Sequence, residues 1–296
     1  MIVNANALDL PLDVLSQCDV QIVDPPYSEY VHTHAMSCGS AGSGTTKRDF
    51  GFGSLKPELM RRIAVAAASV KRWTVVFCDL ESTHLWRDEM ARMGAEYVRE
   101  TYWPDGMYDF LPQRWLRWSQ PQLSGDRPPT GAEATLTFHR ADGVRAIKPV
   151  RKRWNGRGDL THWAAKSLRG ADKGRAEKPL DLMLAIVSAY SDPGETVLDL
   201  CAGRGTTALA CALLGRECLA VELDADTAAY AETRLASPLS ERDRERAIRW
   251  GKDTYDDAVR VPEVPPGEVG RAAWERAQRR LADAAIVLAA FTAIPT

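Results

Sequence analysis

Residues 196–207 read Thr196-Val197-Leu198-Asp199-Leu200-Cys201-Ala202-Gly203-Arg204-Gly205-Thr206-Thr207, and their order decides the fold. An apolar run ends in an acid, two glycines follow one residue apart, and a threonine pair opens a helical stretch reaching Leu214. This is a buried strand, a tight loop and a helix N-terminus. The glycines let the backbone pass close to a ligand, and the first helical turn offers free N–H groups to an anionic one. A further strand, Cys218 to Val221, ends at Glu222, 23 residues beyond Asp199. An acid at about that distance is placed to grip ribose hydroxyls. Gly203-x-Gly205-x-x-Ala208 also fits a loose dinucleotide fingerprint, which alone is a weak signal.

Upstream, Lys178-Pro179 opens a predicted helix from Leu180 to Tyr190, with Met183, Ile186 and Val187 on one side. Before it lies a basic segment. From His139 to Lys178 there are twelve Arg or Lys against four acids, although the whole chain carries a net charge of −2. Trp154 and Trp163 are interleaved with these charges, a composition suited to phosphate and base contacts or to a solvated surface insert.

At the other end of the chain, Val20-Gln21-Ile22-Val23 runs into Asp24-Pro25-Pro26-Tyr27. Each proline fixes its own φ, and Pro25 also holds Asp24 in extended geometry, so the turn is stiff before any substrate arrives. Neither proline can donate a backbone N–H, so the corner presents mainly acceptors: the Asp24 carboxylate and nearby carbonyls. Acceptors suit an exocyclic amine, whose nitrogen can turn tetrahedral when both its N–H groups are accepted. Tyr27 offers a ring face to a flipped base. Residues 28–53, rich in Gly, Ser and Thr, read as a mobile loop able to close over the target.

The remaining pattern is a βαβ rhythm. Strands are predicted at 2–3, 73–78, 97–103 and 134–139, with helices over 55–70 and 82–93. After Arg234 the chain reads as charged and irregular through Pro266, then as one Ala-rich helix from Val269 to Phe291. There Trp274, Leu281 and Leu288 recur every seven residues, a face to pack on the body or on a partner chain.

The 296 residues suffice for one enlarged α/β domain. No stretch has the length of a membrane span and no signal peptide is apparent, so no membrane partner and a cytoplasmic location are expected. The six cysteines form no Cys-x-x-Cys pair, and His32 and His34 are the one close histidine pair; no metal is expected.

Together these features resemble the amino-group DNA methyltransferases that use S-adenosylmethionine, in the permuted order called the beta class. The resemblance covers about residues 1–236: Asp24 to Tyr27, then a target-recognition insert (about 139–177), Lys178-Pro179, and the loop Asp199 to Gly205 with Thr206-Thr207. Gly125-Asp126-Arg127-Pro128-Pro129, followed by Glu133, is similar to a segment these enzymes carry before the recognition region. The resemblance implies a seven-stranded, largely parallel Rossmann-like sheet with the cofactor strand central; residues 237–296, beyond it, read as a charged linker and helix. Asp24, Pro25, Pro26 and Tyr27 would form the catalytic corner. Asn6, Lys178, Asp199, Cys201, Gly203, Gly205, Thr206, Thr207 and Glu222 would bind S-adenosylmethionine, leaving S-adenosylhomocysteine. Arg151, Lys152, Arg153, Trp154 and Arg157 would contact double-stranded DNA. A homodimer and a cognate restriction nuclease are the further partner expectations.

Asp at the head of the corner leans toward adenine N6, since cytosine N4 relatives more often have Ser there. Cytosine N4, RNA or a protein amide as acceptor, and a DNA-binding relative impaired in catalysis, stay open, as does a nicotinamide oxidoreductase. No Pro-Cys pair exists for ring-carbon methylation through a covalent Cys. Two positions depart from the family pattern: Leu200-Cys201 stands where Pro-Phe is common, and Arg204 where Ser is common. An Arg beside a sulfonium is unfavourable unless its side chain points away.

Overall fold

The computed structural model describes residues 1–34, 36–38, 45–47, 53–103, 133–140, 154–156, 177–265 and 267–292. Its centre is a seven-stranded sheet built from β1 (Ile2–Asn4), β2 (Val20–Val23), β5 (Trp73–Cys78), β6 (Ala95–Trp103), β7 (Glu133–Arg140), β8 (Thr196–Asp199) and β9 (Glu217–Glu222). The order across the sheet is β1-β9-β8-β2-β5-β7-β6. All neighbours from β1 to β5 pair in parallel, and β7 alone runs against both β5 and β6. The expected mostly parallel sheet is therefore present, but the strand expected to carry the cofactor loop, β8, is not the central one: β2, the strand of the Asp-Pro-Pro-Tyr corner, holds the middle and β8 lies beside it.

Both faces of the sheet are covered, so its central strands β2 and β5 are buried at every step rather than at alternate ones, and mostly apolar, with Gln21 and Thr74 as the buried polar exceptions. Period-two geometry divides those side chains. Val20, Ile22, Val75, Phe77 and Val197 enter one core with α5 (Leu180–Tyr190) and α6 (Thr206–Leu213). Val23, Val76 and Leu198 enter the other, with Leu15 of α1 (Leu12–Gln17), Ile63 and Ala67 of α3 (Pro57–Ser69), and Trp86 and Met90 of α4 (Thr83–Met93). Pro57 stands at the start of α3, where its missing N–H costs nothing. At the sheet edge, α7 (Ala225–Ala236) packs along β1 and β9.

Three expectations need correction. The segment read as a loop over 28–53 contains, among the described residues, α2 (Glu29–His34) and an antiparallel pair, β3 (Met36–Cys38) with β4 (Thr45–Lys47). The stretch read as a charged linker after 236 is largely helix α8 (Glu241–Ala258). Its inward face is Asp243, Arg246, Ala247, Trp250, Gly251 and Ala258, which keeps helical spacing but apart from Trp250 is made of small and charged residues, so it lacks a continuous apolar stripe. In α9 (Arg271–Thr292) the most deeply buried side is Ala277, Asp283, Ala284 and Val287, offset from the predicted Trp274-Leu281-Leu288 line. Small residues allow this close approach: a Cβ at Gly251 would lie 2.9 Å from Leu288. Helices α8 and α9 thus dock on the body, with Ala247, Trp250 and Val287 inside the α5–α6 core. Among the described residues, no helix is long and apolar enough to cross a membrane.

Candidate active site

Strands β2 and β8 pair with Val20 opposite Val197 and Gln21 opposite Leu198. Carried forward, that register brings Asp24 level with Cys201, so residues 175 apart in the chain from Asp24 to Asp199 emerge at one rim. This is the carboxyl-terminal rim of the parallel strands, where open α/β sheets bind ligands. Glu222 ends the neighbouring strand β9 and joins the same rim. The electrostatics agree: burial pushes the Asp199 carboxyl up to about 7, and the negative charges of Asp24 and Glu222 push in the same direction.

The corner after β2 is anchored from two sides. Leu55 N donates to Tyr27 O at 2.8 Å, and Ser28 N donates to Asp79 Oδ2 at 3.0 Å. Asp79, directly after β5, also accepts from Ser82 N at 2.9 Å through Oδ1. Asp79 was not among the sequence candidates, although its place repeats that of Asp24, an acid just past the end of a buried strand. Lys178 is the other anchor. Expected among the cofactor residues, it donates from Nζ to Asp24 Oδ2 at 2.6 Å, beside the rings of Phe77 (4.9 Å) and Tyr27 (5.8 Å). Its position at the head of α5 puts it there, because α5 runs back along the sheet from this rim.

The glycine loop is held by its own acids. Asp199 Oδ1 accepts from Cys201 N at 3.0 Å, and the Thr207 side chain also bonds this carboxyl. Glu222 Oε2 accepts from Gly203 N at 2.8 Å and Oε1 from Asp224 N at 2.9 Å. Gly203 (φ 51°) and Gly205 (φ 78°) lie in the left-handed region. A Cβ on Gly205 would meet Ala231 of α7 at 3.0 Å, whereas one on Gly203 would meet nothing within 4 Å, so the loop is packed behind and open in front. The Cys201 thiol is pushed well up, first by burial and then by Asp199, Asp24 and Glu222, which makes it a poor nucleophile; its backbone N–H is what it contributes. Thr206 accepts from Arg234 at 3.0 Å. Asn6 follows β1 and caps the turn 7–9 by accepting from Leu8 N at 3.1 Å, next to the end of β9, where Ala5 N donates to Glu222 O.

Arg204 points away from this crevice. Its guanidinium lies 3.8 Å from the Tyr230 ring centroid on α7, and its Nε is 3.4 Å from Glu177 Oε2. The condition under which an Arg is tolerable beside a sulfonium is met.

Trp154, expected at the DNA surface, is displaced from it. It packs on the core beside Tyr190, with ring centroids 6.4 Å apart, and Asn155 beside it bonds Ser191 O and Asp192 Oδ1. Tyr190 ends α5, a helix about 16 Å long that starts just after Lys178, so Trp154 stands at the opposite end of the sheet from Asp24. Arg151, Lys152, Arg153 and Arg157, like most of the basic segment and residues 125–129, lie outside the described residues. Among the described residues, no group of three or more His, Cys, Asp or Glu side chains is placed to hold a metal ion.

The geometry finds counterparts among known proteins. Residues 100–233 match the N6/N4 family described as DNA methylase. The fold is similar to that of the M1.HpyAVI–SAM complex, at 20% identity and TM-score 0.53, with 80% of this chain and 99% of that one covered. It is also similar to the cytosine-N4-specific PvuII DNA methyltransferase, at 13% identity and TM-score 0.50, over 85% and 91% of the two chains. No curated protein matches the chain. The fold expectation stands on the structural likeness, and the expected enzyme class, an S-adenosylmethionine-dependent DNA methyltransferase, on the family match.

Proposed function

We propose that this S-adenosylmethionine-dependent DNA methyltransferase acts on the N6 amine of an adenine flipped out of double-stranded DNA. The observation that carries the reading is the meeting of the Asp24 corner and the Gly203–Gly205 loop at one rim. The family's acceptors are adenine N6 and cytosine N4, and a carboxylate at the head of the corner favours adenine.

Within this reading the chain's residues divide the work. Asp24 Oδ2 is taken by Lys178, so Oδ1 accepts an N–H of the amine and draws its nitrogen toward tetrahedral geometry. Pro25 and Pro26 hold that carboxylate in place, and Tyr27 stacks on the extruded base. When bound, S-adenosylmethionine supplies an electrophilic methyl group on a cationic sulfur. The residues present fit it: Asp199, Asp24 and Glu222 make an acid-lined crevice for a cation, and the open front of Gly203 leaves room at the loop. Glu222 grips ribose hydroxyls with the remaining lone pairs of its two oxygens, and Asn6 faces the adenine end. Cys201, Gly205, Thr206 and Thr207 shape the loop, and Lys178 serves Asp24 rather than the cofactor. Arg151, Lys152, Arg153 and Arg157 supply phosphate contacts. A chain dimer and a cognate nuclease accompany this reading as partners.

Single-molecule sequencing of DNA from cells expressing the chain tests it. N6-methyladenine at a recurring site is the expected result; N4-methylcytosine would transfer the reading to cytosine, and unmodified DNA would overturn it.

A further inference from the structure

We infer that Glu177 is a positioning residue that sets Lys178 on Asp24 and ties that contact to the cofactor loop and the C-terminal helices; the inference rests on the function proposed above. The Glu177 side chain is only 2% exposed and is surrounded by three guanidinium groups from three elements. Its Oε1 takes Arg234 of α7 at 3.1 Å and Arg242 of α8 at 2.8 Å, and its Oε2 lies 3.4 Å from Arg204 of the glycine loop. Arg234 also donates to Arg204 O and Thr206 Oγ1, each at 3.0 Å, and reaches Asp243 of α8 at 3.0 Å. Asp243 stays ionised because Arg234 and Arg242 outweigh its burial, which lowers its pKa.

Position along the chain gives this cluster its consequence. The next residue is Lys178, whose Nζ holds Asp24 Oδ2 at 2.6 Å, and the next is Pro179, which fixes φ as the chain enters α5. Pinning the Glu177 carboxylate therefore fixes the backbone from which Lys178 reaches across. The same guanidinium that pins it fixes a carbonyl and a hydroxyl of the cofactor loop. Exposed ion pairs contribute little, but a desolvated carboxylate ion-paired with several guanidiniums is geometrically demanding, and a small misplacement of a catalytic group is costly in rate.

The test is a double-mutant cycle on kcat with Glu177→Gln and Lys178→Met, alongside calorimetry with S-adenosylhomocysteine. Glu177→Gln is expected to lower kcat about tenfold or more while the Kd changes less than about threefold, and to cause little further loss in the Lys178→Met background. A latch that merely holds α8 in place would lower Tm, leave kcat unchanged, or add its full effect to that of Lys178→Met; either kinetic result overturns the inference. Should Glu177→Gln fail to fold, Arg242→Met decides by the same cycle, unchanged kcat or additivity again counting against it. A wild-type chain that methylates no DNA strikes the functional reading itself, whereas an active one with additive variants strikes only Glu177.

Discussion

At the amino-terminal end of the parallel strands, Asp19 meets Lys71 at 2.8 Å, Arg72 meets Asp192 at 3.1 Å and also Glu195, and Arg216 meets Asp283 at 2.6 Å. At the carboxyl-terminal end, Asp24 meets Lys178, but Asp199 and Glu222 are held, among the described residues, by backbone N–H groups and a hydroxyl. One end compensates its acids with cations, and the other leaves a negative crevice. Desolvated acids without cations oppose folding, and they become useful when a cationic ligand arrives. The acids of the first end thus serve the fold, whereas at the other end Asp199 and Glu222, unlike Asp24 and Glu177, are left to attract a ligand.

The most severe way to break this division lies in the crevice. Asp24→Ala is expected to cut methyl transfer about 100-fold or more. Cofactor binding should survive because Asp24 serves the target amine. Labelled-methyl incorporation and calorimetry with S-adenosylhomocysteine read the two quantities separately, and retained turnover would remove Asp24 from the chemistry.

At the opposite end, Asp283→Ala leaves the buried Arg216 without its carboxylate, a loss of about 3–5 kcal/mol. The expected readout is a Tm lower by on the order of 10 °C with the activity per folded molecule retained. A loss of specific activity without a loss of Tm would invert the comparison.

Glu222→Ala should weaken cofactor binding roughly tenfold or more, as expected for losing hydrogen bonds to a charged group. An unchanged Kd by calorimetry contradicts the ribose role.

The smallest effect is also the one with a distinctive pH dependence. Asp199 is raised in the folded protein to about 7 from an ordinary 3.8, chiefly by burial. The native state therefore binds more protons than the unfolded state between those values, so this group's contribution is full below about 4 and is lost as pH rises through about 7. Asp199→Asn is expected to raise the Tm of the ligand-free protein by a few degrees at pH 8, less as pH falls toward 4, while weakening cofactor binding. Melting curves across that range check it, and a gain larger at pH 5 than at pH 8 would refute the burial account.

Asp24-Pro25-Pro26-Tyr27 and the run Asp199 to Thr207 were legible because their chemistry is local: prolines fix φ, glycines open the loop, and the buried strands before them are mostly apolar. Helix α8 was not, because its buried face uses Asp243 and Arg246, whose burial makes sense only once Arg234 and Asp181 are beside them. Trp154 was misassigned for a related reason. An aromatic within a basic segment looks the same in sequence whether it faces a base or Tyr190.

By itself, then, the sequence determined the strand and helix pattern, the two motifs and their order, since each follows from backbone preferences acting over a few residues. Only the tertiary structure decided that Lys178 pairs with Asp24, that Arg204 turns to Tyr230 and Glu177, and that α8 reaches toward the site through Arg242. Those are pairings between charges distant in the chain, and where a charge finds its partner depends on what burial has already brought close.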